Sequence, residues 1–280
     1  MRCAEFALRG AGGLLLAALL AGCGLLPPAP RVRVAPTVVA PEQVQRLVAN
    51  ATDEWIRWGS RRSLVTPDHP ACLLQPDGDC VQVDDGCGDE QAQALCPVVD
   101  RYWQAVPPGH RRHSCGMVDV CAVHWPADDS RMPENTPPWS AVFVSAMMIK
   151  SGFSASEFWP SRSHAGYIVA ARDGYASAFE VLPTPAEPSV GDVICATRGR
   201  TQLKPDEIWK ILDGELSHPL HCDIVVAVDA DRRWLQAIGG NVQQTVAMNQ
   251  VQLDGQGRLA FDVAPSRPWL LILRPRRELP

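Results

Sequence analysis

Six cysteines, Cys72, Cys80, Cys87, Cys96, Cys115 and Cys121, crowd into residues 72–121 of a 280-residue chain. That stretch is rich in Asp, Gly and Pro and has little apolar periodicity, so it can bury little core of its own and depends on crosslinks for order. Two more, Cys195 and Cys222, lie in apolar runs further on, which makes eight after residue 23. An even count in an exported chain points to disulfides, and the sequence does not choose among the pairings. Cys195 and Cys222 can pair only if their strands are neighbours. A zinc site competes through the nearby His110, His113 and His124. The spacings Cys72-x7-Cys80, Cys87-x8-Cys96 and Cys115-x5-Cys121 hold no CxxC pair, however, so no metal site is assigned.

The N-terminus sets the compartment. Arg2 and Arg9 form a short basic region, and Gly13 to Gly22 is an apolar core too short to span a bilayer. The following Leu20-Ala21-Gly22-Cys23 resembles the lipobox of bacterial lipoproteins, where a cysteine after small residues is lipidated and becomes the new N-terminus. The resemblance implies a signal peptide over residues 1–22 and a lipid on Cys23 that anchors the protein to a membrane of the bacterial cell envelope. Gly24 is not the aspartate of inner-membrane retention, so the outer membrane, facing the periplasm, is the expected place. A plain secretory signal with a chance cysteine is the alternative. Residues 23–41 contain Pro27, Pro28, Pro30, Pro36 and Pro41 and read as an extended tether. The net charge is −5, and losing Arg2, Arg9 and Glu5 makes it one unit more acidic. That balance argues against a nucleic-acid partner.

Residues 42–275 are expected to form a single domain. Val44, Leu47, Val48, Ala51, Trp55 and Ile56 form one stripe of a helix from about Glu42 to Trp58, which Gly59 stops. The cysteine-rich stretch then reads as an insertion over about residues 62–132. A Pro-rich turn leads into a helix from Ser140 to about Ser151, and a second helix is expected from about Ser161 to Arg172. Strands follow at Val190–Ala196, Cys222–Val228, Trp234–Ile238, Thr245–Val251 and Trp269–Leu273. Helices first, then turn-linked strands, make an α+β chain. No internal repeat is present.

Three segments could carry chemistry. In Pro138-Trp139-Ser140-Ala141-Val142-Phe143-Val144, the prolines favour a helix start. Ser140 falls in the first turn, where free N–H groups favour a developing negative charge. It reads either as a nucleophile or as a helix cap. In His221-Cys222-Asp223-Ile224-Val225, strand alternation puts His221 and Asp223 on one face and Cys222 on the other; Val225 shares the histidine face, which the Ser140 helix is expected to cover in part. In Ile238-Gly239-Gly240-Asn241-Val242, the glycines permit a close approach, and the Asn241 amide can orient an imidazole. His164 and Tyr167, at helical i, i+3 spacing, line a cleft or pack in the ordinary way. Trp139 is either core or a sugar-stacking platform. Arg198–Lys204 and Arg274–Arg277 read most simply as solvated edges.

These segments, with Val190-Gly191-Asp192-Val193-Ile194-Cys195 between the first and second, resemble in order the motifs of the CHAP and NlpC-like cell-wall hydrolases. Those papain-like amidases and peptidases act on peptidoglycan. The chain is most similar to a bacterial family of unknown function in which the serine version of the first motif recurs. The resemblance covers roughly residues 41–60 and 135–275. It implies papain-like N-terminal helices packed on an antiparallel sheet, with Ser140 as nucleophile, His221 as general base and Asn241 orienting that base. Asp223 stands where the family has a small residue and adds a carboxylate to the histidine. Trp139, His164 and Tyr167 would line the substrate cleft. Serine departs from the family's cysteine: its hydroxyl cannot be ionised in advance and must lose its proton during attack. The expected function is therefore a peptidoglycan amidase or peptidase without cofactor. The alternative is an inactive relative that binds cell-wall peptides or a protein. The oligomeric state is open.

Overall fold

The computed structural model describes residues 32–65, 72–74, 79–81, 95–112, 137–198, 206–216, 218–229, 231 and 233–278. The expected signal peptide, Cys23, most of the expected tether, and Cys87, Cys115 and Cys121 lie outside them, as does the side chain of Cys80.

Helix α1 (Pro41–Arg57) opens on a proline and buries Leu47 and Ala51 on one side. Gly59, at φ 82°, lets the chain turn away after it. Strands β1 (Arg61–Leu64), β2 (Cys72–Leu74) and β3 (Cys80–Val81) and helix α2 (Cys96–Trp103) follow. Next come α3 (Ser140–Lys150), α4 (His164–Arg172), β4 (Phe179–Pro183), β5 (Val193–Thr197) and α5 (Glu207–Leu212). The chain ends in β6 (Leu220–Asp229), β7 (Trp234–Val242), β8 (Thr245–Gln252) and β9 (Trp269–Pro275). Among the described residues, one sheet holds all nine strands in the order β3-β2-β1-β8-β7-β6-β5-β9-β4.

The fold is thus mixed α+β, as expected, with a sheet that is antiparallel except at one seam. There β1 runs parallel to β8 and pairs Ser63 with Asn249. The described parts of the cysteine-rich stretch extend this sheet and enter the core: α2 buries Val98, Val99, Tyr102 and Trp103 against the other helices.

Both faces of the sheet are covered. Helices α1, α2 and α3 pack on the face that carries Cys222, Ile224 and Ile238. Leu253, Leu259 and Ala264, from the segment after β8, cover the opposite face at Ile194, Val225, Ala237 and Ile272. Two-sided burial explains why β5 and β9 are apolar almost throughout. It also corrects the expected placing of α3, which covers the Cys222 face and not the Val225 face.

Helix α3 is buried nearly all round, with Phe143, Val144, Met147 and Met148 all inside. Its start is gripped by an aromatic box. Trp139 stacks on Trp58 at 5.3 Å, and Tyr102 meets the Phe143 ring edge-on at 5.5 Å. The Tyr102 hydroxyl accepts from Trp58 Nε1 (2.9 Å) and donates to the buried Glu54 carboxylate (2.9 Å), which joins α1 to α2. Trp139 therefore has no exposed surface. It is a core side chain, not the expected substrate contact.

Cys195 and Cys222 face each other across β5 and β6 and form a disulfide. Cys72 and Cys96 are each disulfide-bonded as well. Arg274, expected on a solvated edge, instead pairs at 2.8 Å with Asp192, which is fully buried at the turn before β5.

Gly240 lets α3 approach β7. A Cβ there would lie 2.5 Å from Phe143 and 2.7 Å from the Trp139 ring. Gly240→Ala should lower stability by about 1–3 kcal/mol in urea denaturation, as overpacking does. A change below about 0.5 kcal/mol would contradict this close approach.

Candidate active site

Ser140 is the first residue of α3, and Trp139, not Ser140, occupies the cap position. The residue is only 3% exposed. Its hydroxyl is hydrogen-bonded to the imidazole of His164, with Oγ 2.7 Å from Nε2. His164 is itself the first residue of α4. Its Nδ1 makes a short hydrogen bond to the Tyr167 hydroxyl one turn later. Two helix starts thus meet at one hydrogen bond. Ser145, one turn into α3, accepts the Ser161 backbone N–H at 3.1 Å and fixes the segment that leads to α4.

Two imidazole tautomers satisfy this chain. With the proton on Nδ1, His164 donates to the Tyr167 oxygen and Nε2 accepts the Ser140 proton, the arrangement that deprotonation of a serine requires. Burial, and secondarily the Asp223 charge, holds the Tyr167 phenol far above its usual range, so it stays neutral. Burial also pushes His164 well below the usual histidine value; His221, Arg198 and Arg267 push the same way, while Asp223 opposes them.

His221, expected as the base, makes a different bond. Its Nε2 lies 2.8 Å from Asp223 Oδ1, its neighbour on the same strand face. The His164 and His221 rings sit with centroids 5.6 Å apart. Both histidines are therefore at the site, and the one bonded to Ser140 is His164. Asp223 is completely buried and has three partners: its other oxygen accepts from Asn249 Nδ2 at 3.0 Å and Arg267 at 2.9 Å. Burial alone would raise its pKa, but His221 and Arg267 outweigh that and leave it lowered. Gly239 makes room for this pair: a Cβ would fall 1.8 Å from Asp223 Oδ1 and 3.0 Å from His221 Nε2. Arg267 lies over the Trp269 ring at 5.0 Å.

Asn241 does not orient either imidazole. The β7–β8 register shifts between Gly239 and Val242, and Asn241 adopts φ 56°, which takes it out of the alternating face pattern. Its backbone oxygen accepts from Arg198 at 3.0 Å, and its side-chain Oδ1 is buried with no partner among the described residues. Tyr167 and Asp223 hold the two rings instead. The partner of Ser140 was hard to find by sequence because His164 lies in a separate helix; its i, i+3 pairing with Tyr167 was the one available signal.

A cleft of about 180 Å³ opens above Ser140, bounded by Ala141, Ser163, His164, Arg198 and His218, among others. The first intrahelical bond of α3 runs from the Phe143 N–H to Trp139 O, so the amides of Ser140, Ala141 and Val142 precede it and have no helical acceptor. Among the described residues, no group of three or more His, Cys, Asp or Glu side chains could hold a metal ion.

The architecture and site define an α+β protein with a serine–histidine–tyrosine chain at the junction of two helix starts. The chain belongs to DUF2272, a family described as uncharacterized protein conserved in bacteria, whose profile matches residues 90–275. No curated protein and no solved structure matches the chain.

The buried neutral histidines set an acid limit on stability. The unfolded chain binds protons on these residues below about pH 6.5, whereas the folded chain does not until lower pH. His164 thus contributes stability above that value, which is lost as the pH falls toward its depressed folded pKa. The urea midpoint should fall between about pH 7 and pH 5, and His164→Gln should flatten that fall. An unchanged slope in the variant would contradict the burial of a neutral ring.

Proposed function

We propose that this chain is a serine-dependent hydrolase of the bacterial envelope that cleaves an amide or ester by acyl transfer. The observation that carries the reading is the 2.7 Å contact between Ser140 Oγ and His164 Nε2 at the floor of a cleft. In the proposed reaction, Ser140 Oγ bonds to the carbonyl carbon as its proton passes to His164 Nε2. The oxyanion is held by the free first-turn amides of α3. The tetrahedral adduct then expels the leaving amine or alcohol, which takes the proton from His164. Water repeats the sequence on the acyl-serine and releases a carboxylic acid. Tyr167 holds the His164 ring through Nδ1, and the His221–Asp223 pair lies beside that ring.

A CHAP/NlpC-like relationship supports peptidoglycan peptides as the substrate class. Its support is the order of four motifs, together with a helix-start nucleophile position packed over a sheet whose next elements bear histidine and a double glycine. The lipobox-like Leu20-Ala21-Gly22-Cys23 supports tethering through a lipid on Cys23, with the domain facing the periplasm. A second reading has its own observation. His164 is held by a phenol and not a carboxylate, and Arg198, Arg267 and His221 all disfavour its protonated form. Such a site suits an inactive relative that binds cell-wall peptides.

Purified protein, tested on peptidoglycan fragments, separates the two. Hydrolysis should fall by about 10³-fold or more in Ser140→Ala and in His164→Ala, with thermal stability checked in parallel. Turnover unaffected by Ser140→Ala would overturn the hydrolase reading. Activity gained only in Ser140→Cys would point to the binding reading.

A further inference from the structure

We infer that the cleft beside Ser140 is a carboxylate-recognition subsite, so that the preferred substrate carries a free carboxylate next to the bond to be cleaved. The inference deepens the hydrolase reading and takes its bond type from it. Among the described residues that bound the cleft, none is acidic. Arg198 and His218 line its wall, and Arg162 lies exposed at its mouth. Arg198 is half-buried, and among the described residues its hydrogen bond is to the Asn241 backbone oxygen, from a single terminal nitrogen. No carboxylate pairs with it among the described residues, and the charge nearest in effect is another cation, Arg267. Half-burying an unpaired guanidinium is costly unless an anion completes the site.

A second observation points the same way. His218 Nε2 is buried in this wall and has no hydrogen-bond partner among the described residues. The starts of α3 and α4, of 11 and 9 residues, meet at the same cleft and add positive potential. A planar guanidinium with free N–H groups matches a carboxylate in a paired, two-bond geometry that neutral amides cannot complete. An anion of this size fits a space of about 180 Å³ together with the reacting carbonyl. Among the described residues, the nearby Asp223 is committed elsewhere, to Arg267, Asn249 and His221.

The test uses two probes, N-acetyl-dialanine with a free C-terminal carboxylate and the same peptide as its carboxamide. Calorimetry on the Ser140→Ala protein measures binding without turnover. The free acid should bind roughly tenfold or more tightly than the carboxamide, as expected for a charge-assisted bond. That preference should vanish in Ser140→Ala/Arg198→Gln and return in part in Ser140→Ala/Arg198→Lys, with all three proteins equally folded by thermal melting. The preference should also weaken as salt is raised. Equal binding of the two peptides, or binding of neither at millimolar concentration, overturns the subsite. A retained preference for the acid without turnover by the unsubstituted protein leaves the subsite standing and removes only the hydrolase reading.

Discussion

The meeting of two helix starts at the Ser140–His164 hydrogen bond is the constraint on which the site depends. Each residue is the first of its helix, so a shift of α3 or α4 by one residue would part them. Neither helix is placed by its own propensity. The Trp58–Trp139–Tyr102 box holds the start of α3, and the contact from Ser145 to the Ser161 backbone carries that placement across to α4. On the other side, Gly240 lets α3 settle against β7. The Ser140 hydroxyl is therefore buried within the core at the floor of a small cleft.

Behind that pair lies a second polar layer of different character. His221, Asp223, Asn249 and Arg267 form a buried network in which a carboxylate is matched by a guanidinium, an amide and an imidazole. Truncating one member of such a network leaves the others buried and unpaired. Its closeness to His164, at 5.6 Å between the rings, means that charge in one layer is felt in the other. The division of labour is physical: the helix-borne chain can exchange a proton with Ser140, while the strand-borne network holds a fixed charge beside it.

Much of the fold was legible where apolar periodicity ran long. The stripe of α1, the apolar run of α3 and the long strands β6, β7 and β8 lie close to where the pattern puts them. Short or irregular elements were not. The six residues of α5 span too little for a helical period to register. Strand β4 is an edge strand with no alternation and ends in a proline. Helix α2 hides in a cysteine-rich segment and begins with Cys-Pro-Val-Val, a poor local helix signal. At the site, the motif order paired Ser140 with His221, whereas the structure bonds Ser140 to His164 and His221 to Asp223, an exchange that only the tertiary packing decides. A helix start brings the ring of His164 to Ser140 across 24 residues of sequence, a relation no periodicity encodes.

Covalent labelling of Ser140 by a fluorophosphonate, read by mass spectrometry of the intact protein and its peptides, probes the Ser140–His164 pair most directly. The expected result is a single adduct on Ser140 that forms in the unsubstituted protein and in His221→Gln, the latter more slowly, and is lost in His164→Ala. An adduct that forms equally well without His164, or one that vanishes only when His221 is replaced, would contradict the assignment of His164 as the proton acceptor.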